Sequence, residues 1–350
     1  MKTIEKKTIL IPSVVGKGRT ELGLLSPGNF AGSMKKPISV SWGTVQYLVG
    51  HYVEKFAPAI ERMDFDRLSN GDEMKALFYA TLAALLETNR ENVISIIVGL
   101  PVELMLNKKE AQKVLRKLRS WMSGSHEFQV NGKTYRVLVR DVNIFGQPTG
   151  GYFSWLLNDE GKITRPTSDL KALVTVCDIG FNTLDIFSIQ GGEIIGKHTG
   201  GNTAGIRRAA EQLIREIKEK YGVTLSRHQA DEYLRAKKPI FSCAQGDKDI
   251  SPLVDQALSV ASASIGDFLE TLLGNGQQFR HMLFTGGGSA LIKKELLQRY
   301  PLAQVLPNPV FANALGLARY ARRAFPDASH VIGLDPGFGG FKAVLLSSEE

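Results

Sequence analysis

The chain has 350 residues, of which 43% are hydrophobic and 22% charged, a composition that excludes disordered and fibrous proteins and allows about two domains. The net charge is +8, but the basic residues are spread along the chain, which favours a solvated surface over a nucleic-acid-binding one. No apolar run reaches the roughly 18 residues of a membrane span, the N-terminus is too charged for a secretory signal, and the two cysteines cannot build a disulfide framework. We therefore expect a cytoplasmic protein with no direct membrane contact.

The first half of the chain predicts strands, then helices, then a hairpin. The predicted elements are short strands over residues 8–53 with turns at Gly16, Gly23, Gly32 and Gly43, a helical region over 54–90, a buried strand over 93–98, an amphipathic helix with a basic face over 107–122, a hairpin over 128–139, and a short helix within 146–158. The Asn131-Gly132 dipeptide is the strongest of these local signals, because both residues tolerate the positive φ of a two-residue hairpin turn.

The second half alternates strands and helices. Its predicted elements are a strand–turn–strand unit over 173–190, helices over 204–221 and 252–273, a strand over 282–284, helices over 290–299 and 313–323, and a final hairpin over 331–346. Residues 159–170 are polar and contain glycine and proline, as expected of a crossover between two domains. The alternation indicates an α/β protein.

Two segments, residues 177–185 and 334–342, repeat one pattern. Each places an aspartate at the end of a β run, a glycine two residues later, a phenylalanine next, and a polar residue seven positions after the aspartate. The residues concerned are Asp178, Gly180, Phe181, Asn182, Thr183 and Asp185 in one segment, and Asp335, Gly337, Phe338, Gly339, Gly340 and Lys342 in the other. One such hairpin alone is more often a structural turn than a binding site.

Two matched hairpins of this kind favour a nucleoside triphosphate. Small residues let backbone amides approach phosphate oxygens, and Lys342 or Thr183 can add a donor. The aspartates Asp178 and Asp335 can hold a hydrated Mg²⁺, which keeps several waters and needs few carboxylates. Two hairpins that face each other would clamp a phosphate chain between two domains.

Two further turns could complete such a site. Gly286, Gly287, Gly288 and Ser289 form a strand-to-helix turn against which a base and ribose could lie, although such a turn can also be purely structural. Gln147 precedes the predicted crossover and could orient a water toward a γ-phosphate, or could be an ordinary polar turn residue. The six histidines, His51 and His228 among them, show no HxxxH metal spacing and are interpreted as ordinary surface or core residues.

Together these motifs resemble the actin-like ATPase superfamily, which includes actin, the heat-shock chaperone ATPases, MreB and ParM. The resemblance implies a first phosphate loop at residues 335–342, a second at 178–185, an adenosine motif at 286–289 and a second connecting helix at 311–316. It implies catalytic roles for Gln147, Asp178 and Asp335, with the two aspartates holding Mg²⁺ through water. Residues 11–13 and 47–50 are similar to the N-terminal half of ParM-type and archaeal actin-like proteins.

The resemblance also implies an actin-like fold, in which a ribonuclease H-like unit is duplicated as two α/β domains around a nucleotide cleft. Domain I would combine residues 1–165 with residues 305–350, and domain II would be residues 166–304. The family begins with its first phosphate loop, whereas here that loop lies near the C-terminus. We therefore expect a circularly permuted chain.

The implied function is an ATPase that binds ATP or ADP with Mg²⁺ and polymerises into filaments, for plasmid or DNA segregation or for a cytoskeletal role in a prokaryote. The implied partners are further copies of the chain and an adaptor protein that binds DNA, so that direct nucleic-acid binding is not expected. A non-polymerising small-molecule kinase and a chaperone-like ATPase of the same superfamily are the open alternatives.

Overall fold

The computed structural model describes residues 4–18, 35–60, 71–88, 90–106, 108–203 and 205–348. The predicted turns at Gly23 and Gly32, and residues 61–70 of the predicted helical region, lie outside these ranges. The described residues form seventeen strands and eleven α-helices, which confirms the predicted α/β class. None of these helices is both long and apolar enough to cross a lipid bilayer.

The strands, in chain order, are β1 (Ile4–Pro12), β2 (Val15–Lys17), β3 (Ile38–Trp42), β4 (Val45–Val49), β5 (Glu91–Leu100), β6 (Gly124–Val130), β7 (Lys133–Gly146), β8 (Leu173–Ile179), β9 (Leu184–Gln190), β10 (Glu193–Ile194), β11 (Gly200–Asn202), β12 (Ile240–Cys243), β13 (Gly246–Asp249), β14 (His281–Thr285), β15 (Gln304–Val305), β16 (His330–Pro336) and β17 (Gly340–Ser348). The helices are α1 (Asp72–Leu85), α2 (Val102–Leu106), α3 (Lys108–Met122), α4 (Gln147–Leu156), α5 (Thr167–Lys171), α6 (Arg207–Tyr221), α7 (Arg227–Arg235), α8 (Ser251–Leu273), α9 (Gly286–Leu291), α10 (Lys293–Arg299) and α11 (Ala312–Ala324).

A nine-stranded sheet, built from β1–β7, β16 and β17, organises one half of the molecule, which we call the first lobe. Its strand order is β1-β17-β16-β5-β7-β6-β3-β4-β2, and three inner strands, β16, β5 and β7, are parallel. The core on this sheet is formed by apolar side chains of α1, such as Phe78 and Leu82, against Ile94 and Ile96 of β5. Because β5 is buried along nearly its whole length, its β-branched run is explained by packing on both faces.

A six-stranded sheet organises the second lobe. Its order is β10-β9-β8-β14-β15, with β11 added beside β9, and β8, β14 and β15 are parallel. Helices α6 and α8 cover this sheet with apolar faces that include Leu213 and Ile265. The central parallel strands of both sheets, β16 and β8, each continue into an antiparallel hairpin strand, β17 and β9.

Two helices, α4 and α11, cross where the lobes meet. Helix α4 contacts strands of both sheets, and α11 packs on β16 and against α4. The crossing is so close that a Cβ atom on Gly316 would lie 1.7 Å from the carbonyl oxygen of Gly150, and one on Gly150 would lie 2.3 Å from that of Asn313. Only glycine fits at these two positions, and the close approach brings the first turns of α4 and α11 together.

Local signals predicted most elements, with shifts at their ends. Two predictions were wrong: the only α-helix among the described residues of 54–90 is α1, and Gly16 lies inside strand β2 and not at a turn. The hairpin at Asn131-Gly132 is confirmed, with φ of 50° and 78° at these residues. The helix predicted from residue 290 instead begins at Gly286, because Gly286 adopts a φ of 85° and lets the chain turn directly from β14 into α9. Helix α7 and the β12–β13 hairpin had no sequence prediction, since both are short and mostly polar.

Candidate functional site

The two predicted aspartate hairpins face each other between the lobes. Asp335 is the second-last residue of β16 and Asp178 the second-last residue of β8, so each carboxylate lies at the end of a parallel strand. The tips are in contact, since a Cβ atom on Gly339 would lie 2.9 Å from the Cβ of Phe181. The repeated sequence pattern therefore corresponds to two similar structures, one in each lobe.

The hairpin register explains the polar residue seven positions after each aspartate. Lys342 lies directly opposite Asp335 on β17, and Asp185 lies directly opposite Asp178 on β9. The Lys342 ammonium donates to Asp335 Oδ2 over 2.9 Å, in a pair whose side chains are largely buried. The second hairpin has no such cation, because its opposite residue is another acid.

Each aspartate also receives an amide side chain from one of the crossing helices. Gln147 Nε2, in the first turn of α4, donates to Asp335 Oδ1 over 2.8 Å. Asn313 Nδ2, in the first turn of α11, donates to Asp178 Oδ2 over 2.9 Å. The Thr285 hydroxyl lies 3.2 Å from Asp178 Oδ1, within hydrogen-bond distance. The arrangement is approximately two-fold: one hairpin aspartate and one helix amide on each side of the cleft.

Burial makes it energetically costly for Asp178 and Asp335 to be charged at the same time. Asp178 and Asp335 are 6% and 2% exposed. Burial raises the pKa of Asp178 above its ordinary value, and the charge of Asp335 raises it further, while Lys342, Asn313 and Thr285 oppose the rise. Two carboxylates facing one cleft with a single ammonium nearby form an oxygen donor set that suits a hard divalent cation such as Mg²⁺.

The cleft between the hairpins has a volume of about 280 Å³. It is lined by most of the predicted site residues: Gln147, Asp178, Gly180, Phe181, Asn182, Thr183, Gly286, Gly287, Asp335, Gly337, Phe338, Gly339, Gly340 and Lys342. Three predicted residues lie behind its wall. Gly288 packs on Ile179, and Asp185 is fully buried. The Ser289 hydroxyl donates to the Thr285 carbonyl oxygen, four residues earlier in the same strand-to-helix turn.

Several residues of the cleft had no predicted role. Asn313 and Thr285 hold Asp178, and the wall toward solvent includes His51 of the first lobe with His228, Asp231, Glu232 and Arg235 of α7. Arg235 forms a bidentate pair with Asp231, with both N–O distances 2.9 Å. Asn313 lies in the segment that resembles the second connecting helix, so the sequence did indicate that region. No sequence pattern indicated the residues of α7.

Asp185 links the two lobes. Its Oδ1 accepts a hydrogen bond of 2.7 Å from the backbone amide of Val102, the first residue of α2 in the first lobe. Burial raises the pKa of Asp185 from 3.8 to about 7, and the charge of Asp178 adds to the rise. The native state therefore retains a proton that the unfolded chain releases near pH 4.

This pKa difference predicts a pH-dependent stability. Because the native state binds the extra proton, the free energy of unfolding should fall as pH rises from about 4 to about 7, and level off above that. In Asp185→Asn the free energy of unfolding should fall less over this pH range. The difference in unfolding free energy between wild type and variant should therefore change between about pH 4 and about pH 7. Denaturant unfolding between pH 4 and 8, in EDTA and without nucleotide, measures it. Parallel stability curves for the two proteins would contradict the assignment.

The comparisons with known proteins agree with this geometry. The family model "Actin like proteins N terminal domain" matches residues 1–150, and the model "Archaeal actin homologue MreB-like, C-terminal" matches residues 176–298. Together the two models cover most of the chain. The chain belongs to the actin-like ATPase superfamily.

Solved structures of actin-like proteins share its fold. Ta0583, an archaeal actin homolog, is 18% identical with a TM-score of 0.66, covering 91% of this chain and 93% of that one. A non-polymerisable quadruple mutant of pCBH ParM is 20% identical with a TM-score of 0.71, covering 90% and 93%. The ParM of a 15-stranded filament from Clostridium botulinum is 20% identical with a TM-score of 0.67, covering 91% and 93%. A sequence search of curated proteins finds no match.

Proposed function

We propose that this actin-like chain binds ATP or ADP with Mg²⁺ between its lobes, hydrolyses ATP and polymerises into filaments in the cytoplasm. The observation that carries the proposal is the pair of facing hairpins, in which buried Asp178 and Asp335 are each held by an amide from a crossing helix. Two relatives support it: Ta0583 has been solved in complex with ADP, and the Clostridium botulinum ParM as a filament.

The cleft residues divide into four roles in this proposal. The hairpin tips, residues 180–183 and 337–340, bring backbone amides to the phosphates, and Gly286 with Gly287 forms the wall on which the adenosine would lie. Lys342 supplies a positive charge beside Asp335. Asp178 and Asp335 would hold a hydrated Mg²⁺, which when bound neutralises phosphate charge.

Gln147 has the geometry of a residue that positions a water. Its Nε2 is held by Asp335, which leaves the acceptor Oε1 as the atom that can orient an attacking water toward the γ-phosphate. An amide cannot act as a strong base, so its contribution is orientation. The hydrogen bond to Asp335 fixes the side chain in the first turn of α4, which limits the entropy that positioning costs.

The polymer would serve DNA or plasmid segregation, or a cytoskeletal role, with a DNA-binding adaptor joining filament to cargo. The similarity to ParM proteins supports this assignment. We propose that the adaptor makes the DNA contact. The basic residues of α3 are accounted for as the solvent face of an amphipathic helix whose Leu118 and Met122 are buried in the core.

We also propose two domains and a permuted chain order. The domains would be residues 1–165 with residues 305–350, and residues 166–304. We move the second boundary by one residue, to follow Val305, because strand β15 (Gln304–Val305) belongs to the six-stranded sheet. Strand β1 pairs with β17, and Ile4 lies opposite Ser348. The first and last described strands are thus neighbours in the sheet, which supports a circular permutation relative to a family whose chains begin at this hairpin.

Asp335→Asn tests the Mg²⁺ site. The isosteric amide can still accept hydrogen bonds from Gln147 or Lys342 but has lost the negative charge, so the gain in ATP affinity that Mg²⁺ provides should fall by about 10- to 100-fold. Calorimetric ATP titrations with Mg²⁺ and with EDTA measure that gain. The control is Asp327→Asn, at an exposed site, which should behave as wild type. An unchanged Mg²⁺ effect in Asp335→Asn would refute the assignment.

A further inference from the structure

Three metal-ligating side chains meet at the mouth of the cleft, and they come from opposite lobes. His51 lies just after β4 in the first lobe, and His228 and Glu232 lie on α7 in the second. Glu232 Oε1 is 3.3 Å from His228 Nε2 and 3.9 Å from His51 Nδ1. One ligand atom from each residue lies within 4.8 Å of the other two.

The spacing on α7 explains how two of the ligands converge. His228 and Glu232 are four residues apart, so their side chains stand one turn apart on the same helix face. His51 approaches them from across the cleft, with its ring centroid 6.2 Å from that of His228. No HxxxH motif exists here because the second histidine belongs to a distant part of the chain.

The donor set selects the class of ion. Two imidazoles and one carboxylate are the protein ligands of many three-residue zinc sites, in which a fourth position holds water or another ligand. Mg²⁺ prefers oxygen ligands, so a histidine-rich triad favours a transition metal instead. Ligands about 2.1 Å from a tetrahedral Zn²⁺ lie about 3.4 Å from each other. The two separations from Glu232, 3.3 and 3.9 Å, are close to that spacing, and the two histidine nitrogens lie within 4.8 Å of each other.

The side chains can close the remaining gap. His51 and Glu232 are 59% and 57% exposed, so small rotations of their outer atoms meet little steric resistance. His228 is 22% exposed and provides the more fixed member of the triad. All three residues line the cleft with the hairpin residues of the candidate nucleotide site.

We propose that His51, His228 and Glu232 bind one Zn²⁺-class ion that bridges the two lobes at the mouth of the cleft. This site is separate from the Mg²⁺ site at Asp178 and Asp335 and has different ligand chemistry. Because its ligands belong to both lobes, the bound ion opposes their separation. A nucleotide beneath it would leave more slowly; this consequence rests on the proposed nucleotide binding, whereas metal binding does not.

Zn²⁺ titration of the EDTA-stripped, nucleotide-free protein tests the site. We expect one Zn²⁺ per chain with micromolar affinity, and at least about tenfold weaker binding in His51→Ala, in His228→Ala and in Glu232→Gln. Two controls should bind as wild type: His198→Gln, where the histidine instead hydrogen-bonds to the Leu272 carbonyl oxygen, and Glu219→Gln, at an exposed position of α6. No binding up to about 1 mM Zn²⁺ would overturn the proposal.

Two comparisons separate a bridging site from its alternatives. Loss of binding in His228→Ala and Glu232→Gln, with none in His51→Ala, would mean a site on one helix and would overturn the bridge. His51→Cys keeps a zinc ligand at this position, so it should bind Zn²⁺ within about tenfold of wild type. If His51→Cys lost as much affinity as His51→Ala, a ligand role for His51 would be refuted.

The bound ion should oppose separation of the lobes. The release rate of a fluorescent ADP analogue, measured with and without Zn²⁺, tests this effect. Zn²⁺ should slow release from wild type by several-fold and leave release from His51→Ala unchanged. Equal release rates from Zn²⁺-saturated and Zn²⁺-free wild type would overturn the bridging role. If the analogue does not bind at all, the proposed function fails, and the zinc titration still decides the metal site.

Discussion

Gln147→Ala should slow ATP hydrolysis by about 10²-fold while ATP binding stays near the wild-type level. The side chain is 4% exposed, and its Nε2 is held by Asp335, so its acceptor oxygen is fixed in the cleft. Alanine removes that acceptor and leaves the attacking water without orientation. It leaves the hairpin amides, Lys342 and both aspartates in place, and these are the groups proposed to bind the nucleotide.

Single-turnover phosphate release and a separate ATP titration measure the two effects independently. Gln129→Ala is the matched control, since Gln129 is exposed on β6 and far from the cleft in the nine-stranded sheet. Hydrolysis at the wild-type rate in Gln147→Ala would remove Gln147 from the mechanism. A joint loss of binding and hydrolysis would assign it a role in holding Asp335 and not in orienting water.

Gly316→Ala should destabilise the protein by about 3 kcal/mol or more. The added Cβ would lie 1.7 Å from the Gly150 carbonyl oxygen and 2.4 Å from the Ser154 amide nitrogen, and both are backbone atoms of α4 that no side-chain rotation can move. Helices α4 and α11 would have to separate. Their first turns carry Gln147 and Asn313, so ATP affinity should fall together with stability.

Denaturant unfolding measures the stability change, with Gly196→Ala as the control. A Cβ on Gly196 meets no atom within 4 Å, so this substitution should change the free energy of unfolding by less than about 0.5 kcal/mol. Wild-type stability in Gly316→Ala would show that the two helices do not cross as closely as described.

Features set by a few neighbouring residues could be predicted from the sequence. The Asn131-Gly132 turn follows from local backbone preferences, and the two aspartate hairpins follow from a β run, an acid and closely spaced small residues. Because the hairpin pattern occurs twice, it also predicted a cleft with one hairpin on each side. The seven-residue spacing matches the pairing of Lys342 opposite Asp335, but the register itself is seen only in the structure.

Features that depend on packing between distant segments could not be predicted from local patterns. The bond between Gln147 and Asp335 joins residues 188 positions apart, and the bond between Asn313 and Asp178 joins residues 135 apart. Asp185 has the sequence position of a cleft residue but turns instead to the Val102 amide behind the wall. The His51, His228 and Glu232 cluster exists only because the lobes bring a loop and a helix together.

Nucleotide-dependent sedimentation, combined with phosphate release, tests the central claim most directly. With ATP and Mg²⁺ the chain should enter the pellet and scatter light, phosphate should appear after assembly, and the pellet should be absent without nucleotide. ATP turnover with no pellet at any protein concentration would contradict the filament and favour a kinase or a chaperone-like ATPase. The absence of both ATP turnover and ATP binding would contradict the proposed nucleotide site itself.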